Sequence, residues 1–144
     1  MKGPMNEARK KDAGTKAGKA APLGDTERLE MIIHAAQDTK ALELVCFDMN
    51  NRSPITDYVF LCNGRSQAHV RGIADRILDD MKKAGIACQS LEGYQEGSWV
   101  LMDFDVVLVH VFHPETRTYY DLDGLLSDFD KVDIPEPTPP PTGN

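Results

Sequence analysis

The sequence predicts an α/β domain with a mixed, roughly five-stranded sheet flanked by helices. Two long segments place apolar residues at the helical spacing i, i+3, i+4, i+7. Five short runs rich in Val, Leu, Ile and Phe interleave with them. The resulting order is helix, strand, strand, helix, strand, strand, strand, helix. A chain of 144 residues and 16.0 kDa is one domain with room for tails.

The body starts at Asp25, where Leu29, Ile32, Ile33 and Ala36 form the first helical stripe. Asp25 or Thr26 can cap it, and Glu27 and Glu30 favour its positive end. Residues 41–48 (ALELVCFD) read as a strand. The segment 49–57, with two Asn, a Ser-Pro and an Asp, reads as a turn, and 58–63 (YVFLCN) as the next strand. Ser66 is a good N-cap for the strongest helix, whose stripe is Val70, Ile73, Ala74, Ile77, Met81 and Ala84. Gly85 closes it. Residues 86–92 (IACQSLE) follow as a strand, so the strand–helix–strand run predicts a parallel pair. Residues 98–103 and 106–112 flank Phe104-Asp105 as an antiparallel hairpin. Pro114 opens a last helix carrying Tyr119, Leu122, Leu125 and Leu126.

The strands are apolar on both parities. Tyr58, Phe60 and Cys62 oppose Val59 and Leu61; Trp99 and Leu101 oppose Val100 and Met102. Such strands expect cover on both faces. Five strands make a sheet roughly 20–25 Å wide, and one helix covers about 10 Å of it. Two good helices and a short one leave part of the sheet uncovered, which points to an interface.

Composition narrows the function. The net charge of −7 combines a basic segment, residues 1–24 (+4), with a body at −10 over residues 25–134. An acidic body does not suit wrapping a nucleic-acid backbone. It suits a basic protein partner, or serves solubility alone. Residues 1–24 lack bulky apolar side chains and are expected to be a disordered basic tail. Residues 129–144, ending in PEPTPPPTGN, are expected to be a Pro-rich tail, which leaves 25–128 as the domain. No apolar run reaches membrane-span length, and the first twenty residues lack the apolar core of a secretory leader, so a cytoplasmic protein is expected. Cys46, Cys62 and Cys88 are odd in number and not at metal-ligand spacing, and they read as buried free thiols.

Candidate chemistry is sparse. Asp103-Phe104-Asp105 could hold Mg²⁺ for nucleotidyl transfer or phosphate hydrolysis. It also sits where Asp commonly forms turns, and no glycine-rich phosphate loop accompanies it. His110 and His113 fall on opposite strand faces, and His113 precedes Pro114 as a helix cap would. His69, in the first turn of the second helix, reads as neutral. Trp99, the sole Trp, follows the polar turn Glu92–Gly97 and reads either as core or as an interface anchor.

Taken in order and spacing, several motifs carry a resemblance. They are Ile55-Thr56-Asp57-Tyr58, Asn63-Gly64-Arg65-Ser66-Gln67-Ala68-His69-Val70, Ile73-Ala74-Asp75, Glu92-Gly93, Gly97 to Asp103, Val109-His110-Val111-Phe112 and Tyr120-Asp121-Leu122. Over about residues 25–127 the chain resembles the ribosomal silencing factor family, also called RsfS or Iojap. It departs where the family's hairpin Gly-Asp is Asp105-Val106, its Thr is Arg65, its Arg is Ala68, and a Trp late in the last helix is Leu126. The resemblance implies a fold similar to the nucleotidyltransferases without that activity, no enzyme function and no cofactor or metal. It implies binding to the large ribosomal subunit through ribosomal protein L-fourteen, steric block of subunit joining, and lower translation under nutrient limitation. Trp99, Leu101, Asp103 and Tyr120 are expected at the partner surface, with Glu92 and Glu96 steering and His69 shaping it. Contact of the basic tail with ribosomal RNA is a further expectation. A homodimer burying the uncovered sheet face, and a metal-dependent enzyme using Asp103 and Asp105, are the rival readings.

Overall fold

A computed structural model describes residues 24–137. In chain order these hold α1 (Asp25–Asp38), β1 (Leu42–Asp48), β2 (Tyr58–Asn63), α2 (Gln67–Lys83) and β3 (Ser90–Glu92). Then come β4 (Trp99–Asp103), β5 (Val107–Phe112), α3 (Pro114–Tyr120), α4 (Leu122–Leu125) and β6 (Asp130–Lys131). The sheet runs β3-β4-β5-β2-β1-β6. β2 and β5 are parallel and the other neighbours antiparallel.

The apolar stripes explain the layers. α1 and α2 pack side by side and bury Ile32, Ile33, Ala36, Val70, Ile73, Ile77 and Met81 against one sheet face. That face presents Cys46, Phe60, Cys62, Val100, Met102, Val107, Val109 and Val111. Ser66 caps α2 by accepting the His69 N–H at 3.0 Å. The cap of α1 is Gly24, whose N–H donates to Glu27 at 2.8 Å, and neither Asp25 nor Thr26 fills the place. The opposite face has thinner cover. Phe47, Met49, Val59, Leu61 and Phe112 lie there beneath Leu122, Leu126 and Phe129.

Three expectations need correction. The strand after α2 is confined to 90–92 and does not neighbour β2; the β4–β5 hairpin lies between them. β5 is apolar on both parities and takes the central place, whereas Ser90-Leu91-Glu92 suits an edge, with Leu91 44% exposed. The last helix breaks at Asp121, whose left-handed backbone (φ 49°) reverses the chain while its carboxylate caps the Gly124 N–H at 3.1 Å.

The hairpin turn centres on Asp105 (φ 76°), with Phe104 N–H donating to Val107 O and Val106 N–H to Phe104 O. Asp tolerates the left-handed region better than most residues. Finally, a sixth strand comes from the segment expected to be a tail. β6 pairs with β1, Val132 N–H donates to Cys46 O at 2.8 Å, and Val132 and Ile134 pack on the helix-side core. The segment shields the β1 edge. Residues 1–23 of the expected basic tail and residues 138–144 of the expected Pro-rich tail lie outside the described residues.

Candidate functional site

β4 is where cover runs out. Val100 and Met102 are fully buried beneath the helix layer, while Trp99, Leu101 and Asp103 alternate with them and stand half-buried on the other face. Strand register places Phe112, His110 and Leu108 of β5 beside them, and Glu92 of β3 beside Leu101. The Trp99 ring centroid lies 5.0 Å from Phe112, 5.9 Å from His110 and 4.8 Å from Tyr120 at the end of α3. Its indole N–H donates to His110 Nδ1 at 2.9 Å. Tyr120 is 56% exposed and Tyr119, packed edge-on against it, 80%. The result is an aromatic cluster open on one side and bordered by Glu92 and Asp103.

The turn before β4 fixes its start. Gly93 (φ 80°) runs so close to β4 that a Cβ there would lie 2.0 Å from the Trp99 carbonyl oxygen, so only glycine fits. α2 holds the same turn from the other side. Tyr94 donates its hydroxyl to Asp75 at 2.7 Å, and Arg71 donates to Gln95 O at 3.1 Å. Glu96 projects from this turn, exposed.

Of the expected residues, the structure brings Trp99, Leu101, Asp103, Tyr120 and Glu92 to one face. His69 is not among them. Its Nδ1 accepts the Arg65 N–H and its Nε2 meets Thr39 O, both at 2.8 Å, so a neutral imidazole ties the end of α1 to the start of α2. Those helices form the layer on the opposite sheet face. His113 caps α3, accepting from the Glu115 N–H. Asp103 Oδ1 accepts the Asp105 N–H at 2.8 Å, so this carboxylate is engaged in turn formation. Among the described residues, no group of three or more His, Cys, Asp or Glu is placed to hold a metal ion. No described helix is long and apolar enough to cross a membrane. Cys46 and Cys62 are buried, and burial pushes both thiols up to about 12.

The sequence reading missed Arg117. It lies on α3, 8% exposed, and forks onto Asp123 through Nε (3.0 Å) and Nη2 (2.9 Å). Its Nη1 donates to Glu43 O at 2.7 Å and to Asn63 Oδ1 at 3.0 Å. Glu43 has φ 51° within a bulge of β1, where the register steps between Leu42 and Val45. Arg117 thereby joins α3, α4 and the sheet, and sets the helix that carries Tyr120. The Arg117 guanidinium in turn holds the Asp123 carboxyl below its usual range.

His110 is 6% exposed, and burial lowers its pKa from 6.5 to about 4. The unfolded chain takes up a proton through about pH 6.5 and the folded chain only near pH 4. This stabilisation is full above pH 6.5 and is lost as pH falls between those values, by up to roughly 3 kcal/mol. Urea unfolding at pH 7.5 and 4.5 should therefore show a smaller drop for His110→Phe than for the unsubstituted chain. Equal drops would contradict a neutral buried imidazole.

Comparison with known proteins agrees with this architecture. Residues 23–143 match the family model described as ribosomal silencing factor during starvation. A Halalkalibacterium halodurans protein named ribosomal silencing factor RsfS is 36% identical over 112 residues, covering 78% of this chain and 96% of that protein. A mouse protein named mitochondrial assembly of ribosomal large subunit protein 1 is 26% identical, over 85% of this chain and 56% of its own length. A crystal structure from Chromobacterium violaceum matches with a TM-score of 0.71 at 28% identity, covering 80% of this chain and 98% of that one. The extent of the family match, together with the identity to a relative that it spans almost end to end, leads to one conclusion: the chain belongs to the ribosomal silencing factor (RsfS) family.

Proposed function

We propose that this chain represses translation by binding the large ribosomal subunit through ribosomal protein L-fourteen and occupying the surface where the small subunit would dock. Nutrient limitation is the condition under which it acts. The observation that carries the proposal is the half-covered aromatic face of β4 and α3: Trp99 packed by Phe112 and Tyr120, with Glu92 and Asp103 at its margin. Trp and Tyr at the centre of a partly apolar patch are the side chains that most often dominate binding energy. The acidic border and a body at −10 suit a basic ribosomal protein and speed encounter with it.

The mechanism needs no covalent step. Trp99 and Leu101 lose their remaining water on docking, Asp103 and Glu92 meet cationic groups, and the bulk of the domain excludes the incoming subunit. The family membership and the name of the mouse relative, which concerns the large subunit, support the same target. Residues 1–24, at +4, are proposed to reach ribosomal RNA. The test is sedimentation of the full chain with purified large and small subunits. It should pellet with the large subunit alone, with binding that weakens as salt rises. Equal recovery with both subunits, or with neither, would refute the reading. Concentration-dependent self-association with no subunit binding would assign the face to a second copy of the chain.

A further inference from the structure

We infer that His110 is a positioning residue for the Trp99 anchor, its Nδ1 lone pair fixing which edge of the indole faces outward. The inference rests on the proposed role of the Trp99 face. Trp99 pairs with Phe112 across the β4–β5 ladder, and His110 occupies the diagonal position on the same face. The His110 and Phe112 rings are stacked within 9° of each other, 5.9 Å apart. They form a platform on which the indole lies, tilted by 37° to one and 30° to the other, with Tyr120 on another side.

A platform of rings selects the position of an indole but not its direction. Turned over about its bond to Cβ, the indole would put its benzo ring where the N–H edge now lies. Only one of the two orientations aims Nε1 at His110 Nδ1, where the distance is 2.9 Å. An indole N–H can only donate, so Nδ1 must be the unprotonated nitrogen and the imidazole proton sits on Nε2. The alternative orientation leaves the half-buried N–H without this acceptor. His110 thus presents the indole to a partner already oriented, and removes an ordering cost that binding would otherwise carry.

A packing role and a positioning role make opposite demands at this site. Phe at 110 keeps a ring in the platform and removes the acceptor. Asn removes the ring and keeps an oxygen near the place of Nδ1. Because Trp99 is the sole Trp, its indole N–H gives one resonance in a ¹⁵N-correlated spectrum. In the unsubstituted chain that resonance should exchange slowly with solvent at pH 7; fast exchange there overturns the inference without any variant. In His110→Phe the exchange should accelerate at least tenfold, and binding to large subunits should weaken about tenfold with the circular dichroism unchanged. In His110→Asn the resonance should stay protected and binding should stay within about threefold of the unsubstituted chain. Protection retained in the Phe variant overturns the inference. So does loss of protection in the Asn variant, or unchanged binding in the Phe variant despite a released indole. If the exchange results are as expected but the unsubstituted chain binds no subunit, the partner reading fails while the fixed indole stands.

Discussion

Arg117→Met lowers the unfolding free energy by about 3 kcal/mol, the largest effect expected of any single polar substitution in this fold. The guanidinium is nearly buried and serves three acceptors on separate elements: Asp123, the Glu43 carbonyl and Asn63 Oδ1. Met fills a similar volume but donates nothing. Asn63 is 7% exposed and loses a charge-assisted partner, at a cost of about 1–3 kcal/mol. The Glu43 carbonyl, held in a left-handed bulge, loses the contact that stabilises that conformation. Asp123, with its side chain 37% exposed, returns partly to water and adds less. Urea unfolding measures the sum. Arg117→Lys should recover less than half of the loss, because an ammonium cannot span the bidentate fork. A loss below about 1 kcal/mol for Met would contradict the assignment of Arg117 as the clamp between α3 and the sheet. The effect should extend to function, since the clamp places Tyr120 over Trp99.

Trp99→Ala should leave the domain folded and abolish most subunit binding. The buried side of β4 consists of Val100 and Met102, which the substitution does not touch. Trp99 itself is half-buried on the thinly covered face, so its removal takes away only part of a core contact. Binding is the more sensitive quantity. A central aromatic hot spot costs about 2 kcal/mol or more when truncated, roughly a thirtyfold loss of affinity. Co-sedimentation titrations with the large subunit measure it, alongside circular dichroism as the control for folding. Leu101→Ser and Asp103→Asn should weaken binding less, Asp103 because its carboxylate also serves the hairpin turn. Undiminished binding by a folded Trp99→Ala chain would remove the anchor from the account.

Those two residues mark how far the sequence could be read. Trp99, Leu101 and Asp103 were legible because strand parity is local: alternation with Val100 and Met102 determines which side chains share a face. The stripes of α1 and α2 were legible for the same reason, and too few helices to cover the sheet implied an open face. Arg117 was not legible. A buried cation among apolar candidates has no periodic signature, and its partners at 43, 63 and 123 are distant in sequence. The place of β3 was missed because a strand–helix–strand run gives direction without adjacency, and the later hairpin occupies the position beside β2. β6 was missed because two paired residues, Asp130 and Lys131, follow no alternation, and the prolines beyond them dominate the local composition. The contacts of His69 to Arg65 and Thr39 join the ends of two helices and were not legible, because they depend on how α1 and α2 pack.

We propose that this domain works by occupying a docking surface. Its most direct test is subunit association, followed by light scattering or gradient sedimentation after purified small and large subunits are mixed with a saturating amount of the full chain. Formation of two-subunit particles should fall in proportion to chain bound on the large subunit, Trp99→Ala should relieve the block, and no nucleotide should be consumed. Undiminished particle formation at full occupancy of the large subunit would contradict it.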